Sequence, residues 1–274
     1  MKTSIDHVVT LTADLQAAST AAQNLGFFCT PESQLLSASS ANRTIVFEHD
    51  YWELLTVLEA TPINAAMRGS ANLRSGINGI CASSCDLDQS IAAAQSGELA
   101  LSGPISLTRK ILLNGQEREL RFRVAHCLQF PDALLLFYCE HKTRELVLRK
   151  EWQSHPNGAL GLGKISLVTE HVTQTASAIA WLFDGTMAET AKDGIRIDAG
   201  RQTICVVPPC HFEPVEALIG SHSSGVAVLG VRCRSPDAAL KYAAERGTQV
   251  LQTPAGRCFA YAPGLGDLIV EFIS

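Results

Sequence analysis

The sequence predicts an α+β protein made of four copies of one βαβββ module. Three observations predict this. Four segments repeat the same opening strand and helix, each is followed by alternating strand-like runs, and turn signals separate those runs.

The first module opens at His7 to Leu15 and continues as a helical stretch to Leu25-Gly26-Phe27. The second opens at Gly79 to Leu87 and runs on through Asp88 to Ser96. The third opens at Lys164 to Val172, then Thr173 to Phe183 and Asp184-Gly185. The fourth opens at Gly230 to Ala238 and its helix reaches Arg246-Gly247. Each opening alternates, as a strand packed on one face does. Asp14, Asp86 and Asp237 fall at one offset, where a carboxylate can cap the next helix. Leu15, Ala18, Ala22 and Leu25 recur at helical spacing, and Gly26, Gly185 and Gly247 suit left-handed helix ends.

Strands follow each helix. They are Arg43 to Glu48 and Tyr51 to Leu58 in the first module. In the second, Ile105 to Leu113 and Glu119 to His126 flank Asn114-Gly115, a hairpin turn signal, before Leu134 to Glu140. The third has Gly194 to Asp198 and Gln202 to Val207. The fourth has Cys258 to Ala262 and Asp267 to Ile273, and Val226 to Leu229 precedes its opening. A charged segment ending in His155-Pro156-Asn157-Gly158 breaks the pattern. The expected division is 1–141, a linker at 142–163, and 164–274, with looser connections at 59–75 and 208–225.

Of the 274 residues, 46% are hydrophobic and 18% charged, which supplies a sizeable core. A net charge of −5 without a run of one sign argues against nucleic acid or an anionic membrane surface as partner. No apolar stretch approaches the roughly 20 residues of a membrane helix, and Met1 to His7 carries no signal-peptide pattern. Nine scattered cysteines without a CxxC pair read as buried thiols of a reducing cytoplasm. No GxSxG elbow, HExxH helix, P-loop or GxGxxG fingerprint occurs.

The fourfold repeat, Asp6-His7-Val8-Val9, Gly26-Phe27 and Tyr51-Trp52-Glu53-Leu54-Leu55 resemble the glyoxalase/bleomycin-resistance/dioxygenase group, the vicinal oxygen chelate superfamily. The stretch from Cys139-Glu140-His141 through Glu151-Trp152-Gln153 to His155-Pro156-Asn157-Gly158-Ala159 is similar to its glyoxalase-like domain proteins. The resemblance implies modules paired into two half-open eight-stranded barrels. It also implies metal ligands at a module's first strand and last strand. Here those positions offer His7 and Glu53, a good N/O pair for a divalent ion such as Zn, Mn, Fe or Ni. Gly79 stands where a third ligand belongs, so Glu140, His126 and His141 are the further candidates. Neighbours on a strand face opposite ways, so at most one of Glu140 and His141 should face the cavity.

Glu53 and Glu140 are the candidate proton-moving carboxylates. Arg109, Arg121 and Arg123, on the second module's hairpin, and Trp52 are the candidate substrate contacts, since Arg suits bidentate recognition of an acid group. Lys164 and Gly230 replace the strand-opening ligands in the second half and leave Glu271 as the only candidate in its final strand, so this half is expected to be structural or regulatory. Two readings stand: a metal-dependent lyase, isomerase or dioxygenase acting on a small oxygen-chelating substrate, and a metal-free protein that sequesters a small ligand. A small molecule is the expected partner, and a homodimer the expected assembly.

Overall fold

In a computed structural model, every residue is described except 1–2, 74–75, 96–99, 129–133, 191–193, 210–217 and 219–226. Ser96 and Val226, and nearly all of the connection at 208–225, lie outside the described residues.

The first module holds β1 (Ile5–Leu11), α1 (Leu15–Asn24), β2 (Ser33–Leu35), β3 (Ser40–Val46) and β4 (Tyr51–Val57). After α2 (Ala65–Leu73) the second holds β5 (Gly79–Ser83), α3 (Leu87–Gln95), β6 (Ile105–Leu113), β7 (Gln116–His126) and β8 (Leu135–His141). The third holds β9 (Ala159–Val168), α4 (Val172–Phe183), β10 (Met187–Glu189), β11 (Ile195–Ala199) and β12 (Gln202–Val207). The fourth holds β13 (Ala227–Cys233), α5 (Pro236–Ala244), β14 (Gln249–Gln252), β15 (Cys258–Tyr261) and β16 (Gly264–Ile273).

The strand order repeats with the modules. In every module the first strand pairs parallel with the last, as β1 with β4, β5 with β8, β9 with β12 and β13 with β16. Modules join by their first strands, antiparallel, β1 to β5 and β9 to β13. The α+β class and the module pairing are as expected, with one refinement. The first sheet is a closed barrel, shut by the single pair Gln34–Lys110 between β2 and β6, whereas the second stays open with β10 and β14 at its edges.

Three local expectations need correction. The segment 59–75 contains α2 rather than only a loop. Asp14 and Asp86 do cap their helices, accepting from Ala17 N and Gln89 N, but in the fourth module Ser235 is the cap and Asp237 sits inside the first turn. Pro236 at the helix start fixes that register, because its missing N–H costs nothing there. At the end of α4 the left-handed residue is Asp184, not Gly185. A Cβ on Gly185 would lie 2.4 Å from the Asp198 carbonyl oxygen, so close approach is what requires glycine there.

Side chains alternate across each barrel strand. One set, including Val8, Trp52, Leu54 and Ile80, packs outward under the helices in one apolar core shared with the second sheet. The other set faces the barrel interior, where Val9, Leu55, Val124 and Phe137 form an inner layer. No helix among the described residues is long and apolar enough to cross a membrane.

Candidate active site in the first barrel

The barrel encloses a cavity of about 160 Å³. Its walls are mostly aliphatic and aromatic, among them Leu107, Ile111, Phe122 and Phe137, and one end is polar. His7, Glu53, Arg109, His126 and His141 all reach it.

His7 Nε2 stands 3.8 Å from Glu53 Oε2, and the His7 ring stacks on Tyr51 at 4.4 Å between centroids. These two are brought together by the β1–β4 pairing, which sets Val9 opposite Glu53 and His7 opposite Tyr51. Glu53 Oε1 accepts from Asn42 Nδ2 and meets Arg109 Nη2 at 3.4 Å. Arg109 Nη1 also donates to Ser33 Oγ at 3.3 Å, which donates to Asn42 Oδ1 at 2.6 Å. The carboxylate is thus buried, with Oε1 held by Asn42 and Arg109, as burial of a charge requires.

On the other side of His7 lies Asp6, which is fully buried. Adjacent strand residues ordinarily face opposite ways. Here the β1–β5 register slips between Ile5 and His7, and this bulge brings the Asp6 carboxylate to the His7 ring. Asp6 Oδ2 accepts from His7 Nδ1 at 2.8 Å and from His141 Nε2 at 2.9 Å, while Oδ1 accepts from Arg144 Nη1. Burial opposes ionisation of Asp6. The charge and hydrogen bond of His141, with those of His7, outweigh it and hold the carboxyl well below its usual range. Burial likewise opposes a charge on His141, but Asp6 and Cys139 outweigh it and push the imidazole pKa up to about 10.

Cys139 lines the same wall, two residues before His141 on β8, with Sγ 3.6 Å from His141 Nε2. A hydrogen bond from Cys81 and the His141 charge draw its pKa down, while burial pushes the Cys81 thiol up. His126 stacks at a tilt on Phe137, 5.1 Å between centroids, and burial lowers its pKa.

Four candidates go elsewhere. Of Glu140 and His141, His141 faces the cavity. Glu140 faces outward, its carboxylate held by Arg123 Nη1 at 3.2 Å and Lys142 Nζ at 2.6 Å. Arg121 and Arg123 do share one strand face, but it is the outer one. Arg121 is exposed there, and Arg123 pairs with Asp88. Trp52 is buried in the helix-side core, donating Nε1–H to Thr10 Oγ1 at 2.9 Å and meeting Phe27 edge-on. Strand alternation explains all four, because the cavity set on each strand is one residue out of step with them.

Sequence reasoning missed Asp6, Asn42, Cys139 and Arg144. Cys139 was legible as the i−2 neighbour of His141. Asp6 was not, because its orientation depends on a bulge. Gly79, at the missing ligand position, packs tightly. A Cβ there would lie 3.3 Å from Val9 Cβ. In the second half Glu271 meets Arg257 Nε at 2.7 Å and Lys164 Nζ at 4.0 Å, and Gly230 packs on Lys164.

Two trios of donors lie within 4.8 Å of one another, Asp6–His7–His141 and Asp6–Cys81–Cys139. Distance alone would let either hold an ion. Together these Asp, His and Cys donors are a possible metal site, with guanidinium groups already set against two of the nearby carboxylates. Asp6, common to both trios, already carries the Arg144 guanidinium, and Glu53 carries that of Arg109. A dication there would share Asp6 with the Arg144 guanidinium, which repels it.

The fold and this polar-ended cavity define a vicinal oxygen chelate protein. The family described as glyoxalase-like domain matches residues 5–183, and the chain belongs to it. No curated protein matches the sequence. Among solved structures, a hypothetical protein from Staphylococcus aureus is similar over 100% of this chain and 99% of its own, at 13% identity and TM-score 0.69. A triple mutant of 4-hydroxymandelate synthase from Streptomyces coelicolor is similar over 99% and 92%, at 14% identity and TM-score 0.59. A xylose isomerase-like TIM barrel/4-hydroxyphenylpyruvate dioxygenase fusion protein is similar over 99% of this chain and 48% of that one, at 12% identity and TM-score 0.63. At these identities the likeness is one of fold.

Proposed function

We propose that the first barrel is the active site of an enzyme that moves a proton on a small, largely apolar carbonyl compound, with His7 as the base. One observation carries this reading. Asp6 can only accept, so the 2.8 Å contact puts a proton on His7 Nδ1, and in the neutral ring Nε2 is then the free base, facing the cavity beside Glu53. An imidazole oriented by a buried carboxylate, with its other nitrogen facing a ligand, is the arrangement general-base catalysis uses. His7 Nε2 takes a proton from the carbon next to the carbonyl. Arg109 and Asn42, on the same polar end, are the donors for the enolate oxygen that forms. Glu53 stands beside Nε2 to stabilise the imidazolium. The apolar walls exclude water and select an uncharged body for the substrate. The mixed charge and the many thiols support a cytoplasmic setting, with no nucleic acid or membrane as partner.

The test is hydrogen–deuterium exchange of phenylacetone in D₂O, followed by NMR. Exchange about 10²-fold above buffer is expected, and its loss in His7→Asn. Elemental analysis of protein purified without chelator accompanies it. One equivalent of a transition metal would overturn the metal-free site. A second reading, sequestration of a small ligand, is favoured by the predominance of apolar wall. Phenylacetone binding without exchange would decide for it.

A further inference from the structure

We propose that ligands enter the barrel cavity by parting β2 from β6, with residues 31–37 acting as a strap that opens and closes over it. The inference goes beyond the proton-transfer reading, since it concerns access to the cavity and not the chemistry inside it.

The seam between β2 and β6 is the weakest in the barrel. The two strands meet at one pair, Gln34–Lys110. On its other side β2 meets β3 at Ser33–Asn42, Gln34–Ala41 and Leu35–Ser40. β6 is held along its whole length by β7, from Ile105–Val124 to Leu113–Gln116. Gln34 and Lys110 are both exposed, so water reaches their pair. Backbone groups that part there exchange a protein partner for water at little net cost. One side-chain bond printed by the geometry crosses the seam on the inside, from Arg109 Nη1 to Ser33 Oγ, and at 3.3 Å it is long. Each end keeps a second partner. Arg109 Nη2 stands 3.4 Å from Glu53 Oε1, and Ser33 Oγ donates to Asn42 Oδ1 at 2.6 Å. Swinging β2 outward on its ladder to β3 therefore strands no buried charge.

The cavity mouth lies at the same seam. Of the described residues that line the cavity, only Pro31, Glu32 and Leu112 are exposed. Pro31 and Glu32 run into β2, and Leu112, 71% exposed, lies on β6 two residues beyond Lys110. All other described lining residues are buried or half-buried. Pro31 and Leu112 give the opening apolar edges, which suits an uncharged ligand.

The strap is fixed at both ends and lightly held between them. Thr30 N donates to the Thr44 carbonyl and Thr44 N to Thr30 Oγ1, both at 2.9 Å. The Ala38 carbonyl accepts from Asn64 Nδ2 at 2.8 Å. Between these anchors Pro31, Glu32, Gln34, Leu36 and Ser37 are exposed, and Leu35 is the buried residue. The strap's one charged residue, Glu32, meets Arg43 Nη2 at 4.0 Å. A segment with few buried contacts between two fixed points is one that opens locally while the rest of the fold stays intact.

The experiment locks the seam. Directly opposed antiparallel residues have Cα atoms about 4.5–5.5 Å apart, a span that a disulfide bridges. The full chain carrying Gln34→Cys and Lys110→Cys, with Cys85→Ser to remove an exposed native thiol, is oxidised and the crosslink verified by peptide mass spectrometry. The probe is 4-fluorophenylacetone, and fluorine NMR follows its exchange on and off the protein. That rate should fall about ten-fold or more in the crosslinked protein and return with dithiothreitol. A control crosslink between Ala188→Cys and Arg196→Cys, opposed on β10 and β11 of the second sheet, should leave the rate unchanged. Amide hydrogen exchange needs no ligand. The amides of β2 should exchange faster than those of β4, and the seam crosslink should slow them about ten-fold. The proposal is overturned if the crosslinked protein exchanges the probe at the original rate, or if the crosslink leaves β2 amide exchange unchanged. Should the probe not bind, amide exchange decides alone, and proton transfer by His7 is read separately.

Discussion

Asp6 organises the site more than any residue named for its chemistry. It is fully buried and bonds His7, His141 and Arg144 at once. Removing one partner of such a network leaves the others buried and unpaired, at a cost of about 3–5 kcal/mol. Asp6→Asn should lower the urea midpoint accordingly. The cluster also sets a pH dependence. Asp6 has a depressed pKa, so its contribution is present above about pH 4 and is lost as acid protonates it. His141 has a raised one, about 10, so its contribution is complete below about pH 6.5 and is lost as pH rises towards 10. Urea unfolding at several pH values should show stability declining between about pH 6.5 and 10. The decline should be absent in His141→Gln. A flat profile in the unsubstituted protein would mean that His141 is not charged in the fold.

At the scale of elements, glycines and caps separate what local chemistry decides from what contact decides. Gly26 and Gly247 both end helices in the left-handed region, at φ of 86° and 77°. A Cβ added at Gly247 would meet nothing within 4 Å, whereas at Gly26 that carbon would meet Asn157 Cβ at 2.7 Å and the Tyr242 ring at 2.9 Å. Gly247→Ala should therefore cost only the left-handed penalty, about 1–2 kcal/mol. Gly26→Ala should cost clearly more, because it also pushes the two halves apart. Thermal unfolding of the pair tests this, and equal losses would refute it. Both glycines were legible as helix ends, but their unequal roles were not, since Asn157 and Tyr242 are more than a hundred residues away in sequence. The inward face of β8 was equally hard to read. His141 and Glu140 are neighbours, and only the register of Arg123 against Glu140 decides which one looks out.

Across the whole molecule, the halves are tied by buried polar groups as well as by the shared core. His155 accepts from Phe28 N and bonds the Val46 carbonyl, so the segment between the sheets clamps back on the first half. Tyr138 donates to the Leu182 carbonyl across the seam at 2.7 Å. Asp50 accepts from Leu162 N at 2.9 Å and Gln202 Nε2 at 2.8 Å. Burial raises its pKa to about 6, only partly offset by those bonds and by Arg232. The folded protein then binds this proton more tightly than the unfolded chain does. Stability should fall on the order of 2 kcal/mol as pH rises from about 4 to 6. Asp50→Asn should remove that slope in urea titrations, and a slope unchanged by the substitution would place its origin elsewhere.

The repeat, the α+β class and the Asp14 cap followed from the sequence, because period-2 alternation and a recurring spacing are local properties of the chain; the His7–Glu53 pair came from the family resemblance. Closure of one sheet and not the other, the bulge that turns Asp6 inward, and the guanidinium groups set against Asp6 and Glu53 were decided only in three dimensions. Each depends on strands paired from distant parts of the chain, and a one-residue shift of register moves a side chain from the cavity to the surface.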